Sequence, residues 1–235
     1  MGSFWEILGD AFGLILAWDP HLIEIIWLSL KVTLTAVLIA SIIGLPAGAI
    51  VGAFRFPGRS GATVILNALM GLPPVVVGLT VYLMLSATGP LGALGLLYTP
   101  TAMIIAQTIL VTPIIAALTR QVIEDLYQEY AEQFASLGVG PVNRVLSLLW
   151  DARYSLLTVA LAGFGRAVAE VGAVIIVGGN INHVTRVMTT TIALETSKGN
   201  LQLALALGVV LLSIALVVNA GLMAIKASAV RSAYA

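Results

Sequence analysis

The chain contains no cysteine, and only 9% of its residues are charged. The first absence excludes disulfides, thiolate metal sites and iron–sulfur clusters. The second excludes an ordinary soluble domain, in which about a quarter of residues carry charge. Eleven basic and eleven acidic residues cancel, so there is no basic surface to suggest nucleic acid. The two histidines, His21 and His183, have no partner at ligand spacing, which argues against a metal site. Gly-x-Ser-x-Gly, His-Glu-x-x-His and an intramembrane aspartate pair are all missing, so an intramembrane hydrolase fits poorly. None of the three lysines follows the frame Gly-x-x-x-x-Gly-Lys-Ser/Thr. Without that P-loop the chain must draw energy from a partner or a gradient. No internal repeat, inverted or direct, is visible.

What is abundant is apolar surface. The hydrophobic fraction is 60% and the mean hydropathy is +1.06, so the chain reads as an all-α integral membrane protein with no separate soluble domain. Its 235 residues have room for five or six spans of about 20 residues. Met1–Trp18 lacks the basic start of a signal peptide and carries Glu6 and Asp10. Phe4, Trp5, Ile7, Leu8, Phe12, Ile15 and Leu16 recur at helical spacing, which predicts an amphipathic helix in the interface or, less simply, a sixth span.

Five spans are predicted at 22–53, 62–86, 101–119, 155–177 and 201–224. Pro46 predicts a kink in the first, and Pro73-Pro74 a break in the second. Such breaks suit only positions facing protein or a cavity. Between the third and fourth spans lies a polar region, 121–150. In it Ile123, Leu126, Tyr127, Tyr130, Phe134 and Leu137 give a helix one apolar face. Gly138 stands where a left-handed C-cap belongs, and Pro141 can start the next helix. Tyr127, Tyr130 and Phe134 are candidates to fill a partner's pocket, with Glu124, Asp125, Glu129 and Glu132 at its rim. The alternative is an amphipathic helix packed on the chain's own bundle or lying on the membrane. If this region is cytoplasmic, Arg55, Arg59, Arg120, Arg144, Arg153, Lys226 and Arg231 lie inside and only Arg186 and Lys198 outside. That asymmetry places the N-terminus outside and the C-terminus inside.

Further charges and breaks mark candidate path residues. Arg166 and Glu170 stand one helical turn apart. They read either as a cavity-facing pair, Arg166 donating to a passing oxyanion, or as a structural ion pair. Gly179 and Asn180 break the chain, and Thr189, Thr190 and Thr191 add hydroxyls. Backbone N–H groups and hydroxyls suit an anion gate. The alternative is a re-entrant turn whose threonines bond back to their own helix. Glu195 and Lys198 are expected to face water or a binding protein, and Lys31 to snorkel or pair with Glu24.

The polar region resembles the coupling motif of ABC-transporter permeases of the type I importer class. Glu132 and Gly138 keep the spacing from Glu to Gly, Gln133 and Phe134 replace two alanines, Leu148 takes the Ile place, and Trp150 and Asp151 replace Leu-Pro. Further stretches at 29–35, 56–59, 72–78 and 165–172 are similar to permeases of the molybdate, tungstate and sulfate group. Those at 177–181 and 185–199 are similar to tungstate permeases. The resemblance implies a homodimer in the cytoplasmic (inner) membrane, two ATP-binding cassette subunits beneath it and an extracytoplasmic oxyanion-binding protein above. It implies coupling through Tyr127, Tyr130, Glu132, Phe134 and Gly138. No cofactor is implied on this chain, ATP and Mg residing on the partner ATPase. Molybdate or sulfate are the alternative cargoes. An ion-coupled secondary carrier is the alternative class, which the missing repeat disfavours.

Overall fold

The computed structural model describes residues 4–17 and 19–233, apart from the side chains of 4, 7, 8, 10, 222 and 225–233. Phe4, Ile7, Leu8 and Asp10 of the predicted N-terminal helix, and Lys226 and Arg231 of the charge asymmetry, thus fall outside the described side chains. Every regular element among the described residues is helical. Besides a single 3-10 turn at Gly92–Leu94, these are in chain order α1 (Phe4–Leu16), α2 (Pro20–Ala53), α3 (Arg59–Met70), α4 (Pro74–Leu85) and α5 (Pro100–Ser136). They continue with α6 (Pro141–Asp151), α7 (Arg153–Val168), α8 (Gly172–Gly178), α9 (Met188–Lys198) and α10 (Leu201–Ala233). Among the described residues, three helices are long and apolar enough to cross a membrane: Pro20–Ala53, Pro100–Ser136 and Leu201–Gly221. The number rises to 5 if each of two broken pairs, α3 with α4 and α6 with α7, is one span.

Several boundaries differ from those read off the sequence. The third span and the polar helix after it are one helix of 37 residues, because no glycine stands between Thr119 and Ser136 to stop it. At about 1.5 Å per residue it is roughly 55 Å long, well beyond the roughly 30 Å hydrocarbon core. The predicted second span is two helices, since α3 stops at Met70 and α4 restarts at Pro74. The predicted fourth span stops at Val168 and resumes at Gly172 as α8. The predicted tail after 224 is helix to Ala233.

Contacts divide the chain into two compact units. One comprises Met1–Thr35, Pro74–Gln107 and Val168–Gly221; the other comprises Ala36–Pro73, Thr108–Ala167 and Leu222–Ala235. Each gathers three separate stretches of sequence, so no linker marks the division.

In the first unit Ala11, Leu22, Ile25, Met188, Ala206 and Leu207 form a buried cluster. It joins α1, α2, α9 and α10, while Trp5, Phe12 and Leu16 on α1 stay exposed. Ser29 Oγ adds a polar tie, accepting the Met188 N–H at 2.7 Å and donating to Ile25 O at 2.7 Å. Nearby, α4 and α8 touch at Gly78, where a Cβ would stand 2.7 Å from Ala173 Cα.

In the second unit α2 and α5 approach to backbone contact. Gly44, Gly48 and Gly52 form a row at four-residue spacing along α2, and added Cβ atoms there would meet Thr112 O at 3.0 Å, Ala116 O at 2.3 Å and Arg120 O at 2.8 Å. Small residues in such a row let helices pack where lipid supplies no hydrophobic drive. Gly48→Ala is expected to destabilise the protein by about 1–3 kcal/mol, the usual effect of overpacking a rigid contact. Gly61→Ala, where the Cβ meets nothing within 4 Å, is expected to be neutral or mildly stabilising. Denaturant unfolding of the purified protein in mixed micelles checks both.

Candidate functional site

The polar end of α5 is anchored to the second unit by charge. Arg59 Nη2 lies 2.6 Å from Glu124 Oε1, and Arg120 Nη1 holds the other carboxylate oxygen. Arg59 Nε also donates to Val51 O at 2.9 Å, satisfying a carbonyl at the open end of α2. Glu124, read from the sequence as part of a docking rim, is thus held between two arginines of its own chain.

Beyond Glu124 the helix ends in a tight elbow. Gly138 adopts φ 62°, a conformation that costs an L-residue roughly 1–2 kcal/mol. Val139 N–H bonds Phe134 O at 3.1 Å and Gly138 N–H bonds Ala135 O at 3.3 Å, which closes the helix in a Schellman-type turn. Pro141 then opens α6, where its missing N–H is harmless. The α6 and α7 axes meet at 75°.

Arg144 locks this elbow from inside. Its guanidinium carbon sits 5.6 Å from the Tyr127 ring centroid and 5.9 Å from that of Phe134, within cation–π range. Its Nη1 reaches Tyr127 OH at 3.3 Å and its Nη2 reaches Val139 O at 3.4 Å. Tyr130 packs edge-on against Phe134, with centroids 6.0 Å apart. Tyr127, Tyr130 and Phe134 lie against a buried cluster of Ala49, Ala53, Ile123, Leu148, Ala152 and Leu156. The three rings are therefore half-buried on the chain's own core, whereas Glu132 and Gly138 are exposed.

The exposed apolar surface of the elbow belongs to other residues. Leu137 is 69% exposed, Val142 69%, Leu146 58% and Trp150 70%. The last three stand four residues apart and form one stripe along α6, while Val145, Leu148 and Leu149 on the other side face the core. Beside the stripe, Tyr130, Gln133, Phe134, Leu137, Val139, Ser147 and Asp151 line a groove of ≈ 390 Å³. The sequence shows apolar residues on α6 but not which row the core covers, and so the stripe was missed.

The candidate path residues fall into a hydrogen-bonded break. The sequence places Arg166 and Glu170 one turn apart on one helix; instead α7 ends at Val168 and Glu170 lies between α7 and α8. Arg166 is half-buried in the last turn of α7. Glu170 is buried, and its Oε1 accepts the Ala173 N–H at 3.0 Å, which caps the start of α8 as a carboxylate can. Thr189 Oγ1 donates to Glu170 O at 2.8 Å. Thr191 Oγ1 donates to Val187 O at 2.7 Å, one turn back. Thr190 Oγ1 lies 2.9 Å from Asn180 Oδ1 and accepts the Val187 N–H at 3.2 Å. Gly179 ends α8 in the left-handed region at φ 70°. All three threonines are buried, and in this conformation their hydroxyls engage the chain itself.

Two further placements depart from the sequence reading. Glu195 is buried rather than facing water; it accepts Lys198 Nζ at 2.9 Å and Asn200 Nδ2 at 3.0 Å. The Lys198 hydrogen bond holds its carboxyl below the usual carboxylate range, with Asn200 and Arg186 adding to the effect and burial opposing it. Glu24, one of the two destinations read for Lys31, meets His183 Nδ1 at 2.8 Å, with His21 alongside. The histidines are 162 positions apart in sequence, so no local spacing could reveal the grouping.

Over residues 44–229 the sequence matches the protein family described as "Binding-protein-dependent transport system inner membrane component". It is 41% identical over 210 residues to the "Tungstate uptake system permease protein TupB" of Peptoclostridium acidaminophilum, covering 89% of this chain and 92% of that one. It is 41% identical over 205 residues to the "Probable anion ABC transporter permease protein" of Haloferax volcanii, covering 85% and 88% of the two chains. The "Sulfate transport system permease protein CysT" of Salmonella typhimurium is more distant, at 29% over 197 residues.

The Glu195 pair makes a pH-dependent contribution. A carboxyl whose folded pKa is lowered stabilises above its ordinary value of about 4.3, and that contribution is lost as pH falls through the lowered value. Glu195→Gln is therefore expected to unfold more readily than wild type at pH 7. The gap is expected to close as pH falls below about 4, as read by thermal unfolding across a pH series.

Proposed function

Because the chain belongs to the family of binding-protein-dependent transport system inner membrane components, we propose that it is the membrane-spanning permease subunit of an ATP-driven tungstate importer. The observation that carries the cargo is the 41% identity to a tungstate uptake permease over nearly the whole of both chains. The sulfate permeases, at 28–30% identity, support that cargo less. Molybdate, which shares tungstate's charge and tetrahedral shape, is the competitor to include in any uptake assay.

In this reading two copies of the chain form the pathway in the inner membrane. Two ATP-binding cassette subunits bind beneath, supplying ATP and Mg, and an extracytoplasmic binding protein delivers the anion. The chain itself has no ATPase site. The N-terminus is outside, the C-terminus is inside, and the elbow at 137–151 is cytoplasmic, which agrees with the excess of Arg and Lys assigned to that side. Val142, Leu146 and Trp150 supply apolar anchors of the kind that dominate protein interfaces. Tyr127, Tyr130 and Phe134 brace the elbow from within, with Glu132 on its exposed face. A push on the stripe then passes into α5 and α7 through packed contacts rather than through a flexible loop.

Arg166 offers donors to the passing anion. The Glu170, Gly179, Asn180 and Thr189–Thr191 break forms a gate whose hydroxyls exchange their present partners for the cargo. Weak, shared contacts of this kind release an anion as readily as they take it up.

The test is uptake of tungstate by cells or proteoliposomes carrying the permease, its ATPase and its binding protein. ATP-dependent uptake is expected; uptake that survives ATP depletion would reject the ATP-driven class. Gly138→Glu is expected to leave the protein inserted in the membrane and to abolish uptake. Uptake near the wild-type level in that variant would mean the elbow does not couple.

A further inference from the structure

The described residues include one group with the chemistry of a metal site, and its residues belong to the first unit. We propose that His21, Glu24 and His183 bind a divalent cation of the zinc type. His21 and Glu24 stand on one face in the first turns of α2. Asp19 fixes that end of the helix, its Oδ1 accepting the N–H groups of His21 at 2.9 Å and Leu22 at 3.1 Å. His183 arrives from the segment between α8 and α9, held at φ 60°. A non-glycine residue in that region is uncommon and costs free energy that the surroundings must offset.

The donors converge. His183 Nδ1 lies 2.8 Å from Glu24 Oε2, and His21 Nδ1 lies 4.0 Å from the same oxygen. The two imidazoles meet edge to face with centroids 5.5 Å apart. One donor atom from each of the three residues lies within 4.8 Å of the others. Ligands about 2.0–2.1 Å from a tetrahedral ion stand roughly 3.3 Å apart, so small side-chain rotations bring all three to bonding distance.

An ion pair between Glu24 and one histidine would explain two of these groups. It would leave the second ring, whose Nδ1 stands 4.0 Å from the same carboxylate oxygen, without a role. Two imidazoles and one carboxylate suit zinc, cobalt, nickel or copper better than magnesium or calcium, which prefer all-oxygen shells. All three side chains are partly exposed, so an ion enters from solvent and water completes its shell. A bound ion ties the start of α2 to the segment after α8, adding to the bond from Met188 N–H to Ser29 Oγ at 2.7 Å.

The test is a zinc titration of the purified full-length protein, carrying no polyhistidine tag, against a competing chromophoric chelator at pH 7.5. One zinc per chain is expected, undisturbed by excess magnesium. His183→Asn is the sharpest variant, since asparagine tolerates the left-handed backbone and removes the imidazole. It and Glu24→Gln are each expected to weaken binding at least tenfold, the scale on which even outer-shell changes act. Should His183→Asn fail to accumulate, Glu24→Gln and His21→Gln decide the matter. Absence of stoichiometric binding, or binding that these variants leave unchanged, overturns the site.

Discussion

The second unit depends on the close approach of α2 and α5 along Gly44, Gly48 and Gly52. Any side chain there would strike the backbone of α5. With the backbones in contact, Glu124, held by Arg120 on its own helix, comes to lie where Arg59 can reach it, and the charged triad closes over the end of α2. The same packing seats Ile123 beside Ala49 and Ala53, on which the core beneath the elbow is built. The elbow thus follows a helix whose middle, from Thr112 to Arg120, is packed backbone to backbone against α2.

The first unit obeys a different constraint. Its breaks expose backbone groups that an apolar environment cannot satisfy, and unsatisfied groups there are costly. Glu170 caps α8, Thr189 bonds the carbonyl of Glu170, Ser29 takes the Met188 N–H, and Thr185 Oγ1 bonds Gly178 O at 2.5 Å. These side chains stand in for the missing rungs of the helices. That makes the break a defined structure.

How much of this could be read from the sequence follows from how local each feature is. The elbow was legible because its chemistry sits in two residues close in sequence: Gly138 for the left-handed turn and Pro141 for the next helix start. The end of α2 at Ala53 was legible for the same reason, whereas the helix starts at Pro20 and not at the predicted 22. The merging of the third span with the polar helix was not, since a change in polarity reads as a boundary although the backbone needs a breaker to stop. The end of α7 at Val168 was not, since Ala169 and Glu170 carry no turn signal and the cap bond appears only in three dimensions. Which apolar row of α6 is covered, and which histidine meets which carboxylate, depend on partners far away in the chain.

The most direct measurement of the central claim uses the absence of native cysteine. With Leu146→Cys as the sole thiol, maleimide labelling is followed in inverted membrane vesicles, with and without the partner ATPase subunits. The account predicts ready labelling of the bare permease and strong protection once the ATPase is bound. Equal labelling rates in the two preparations would contradict it.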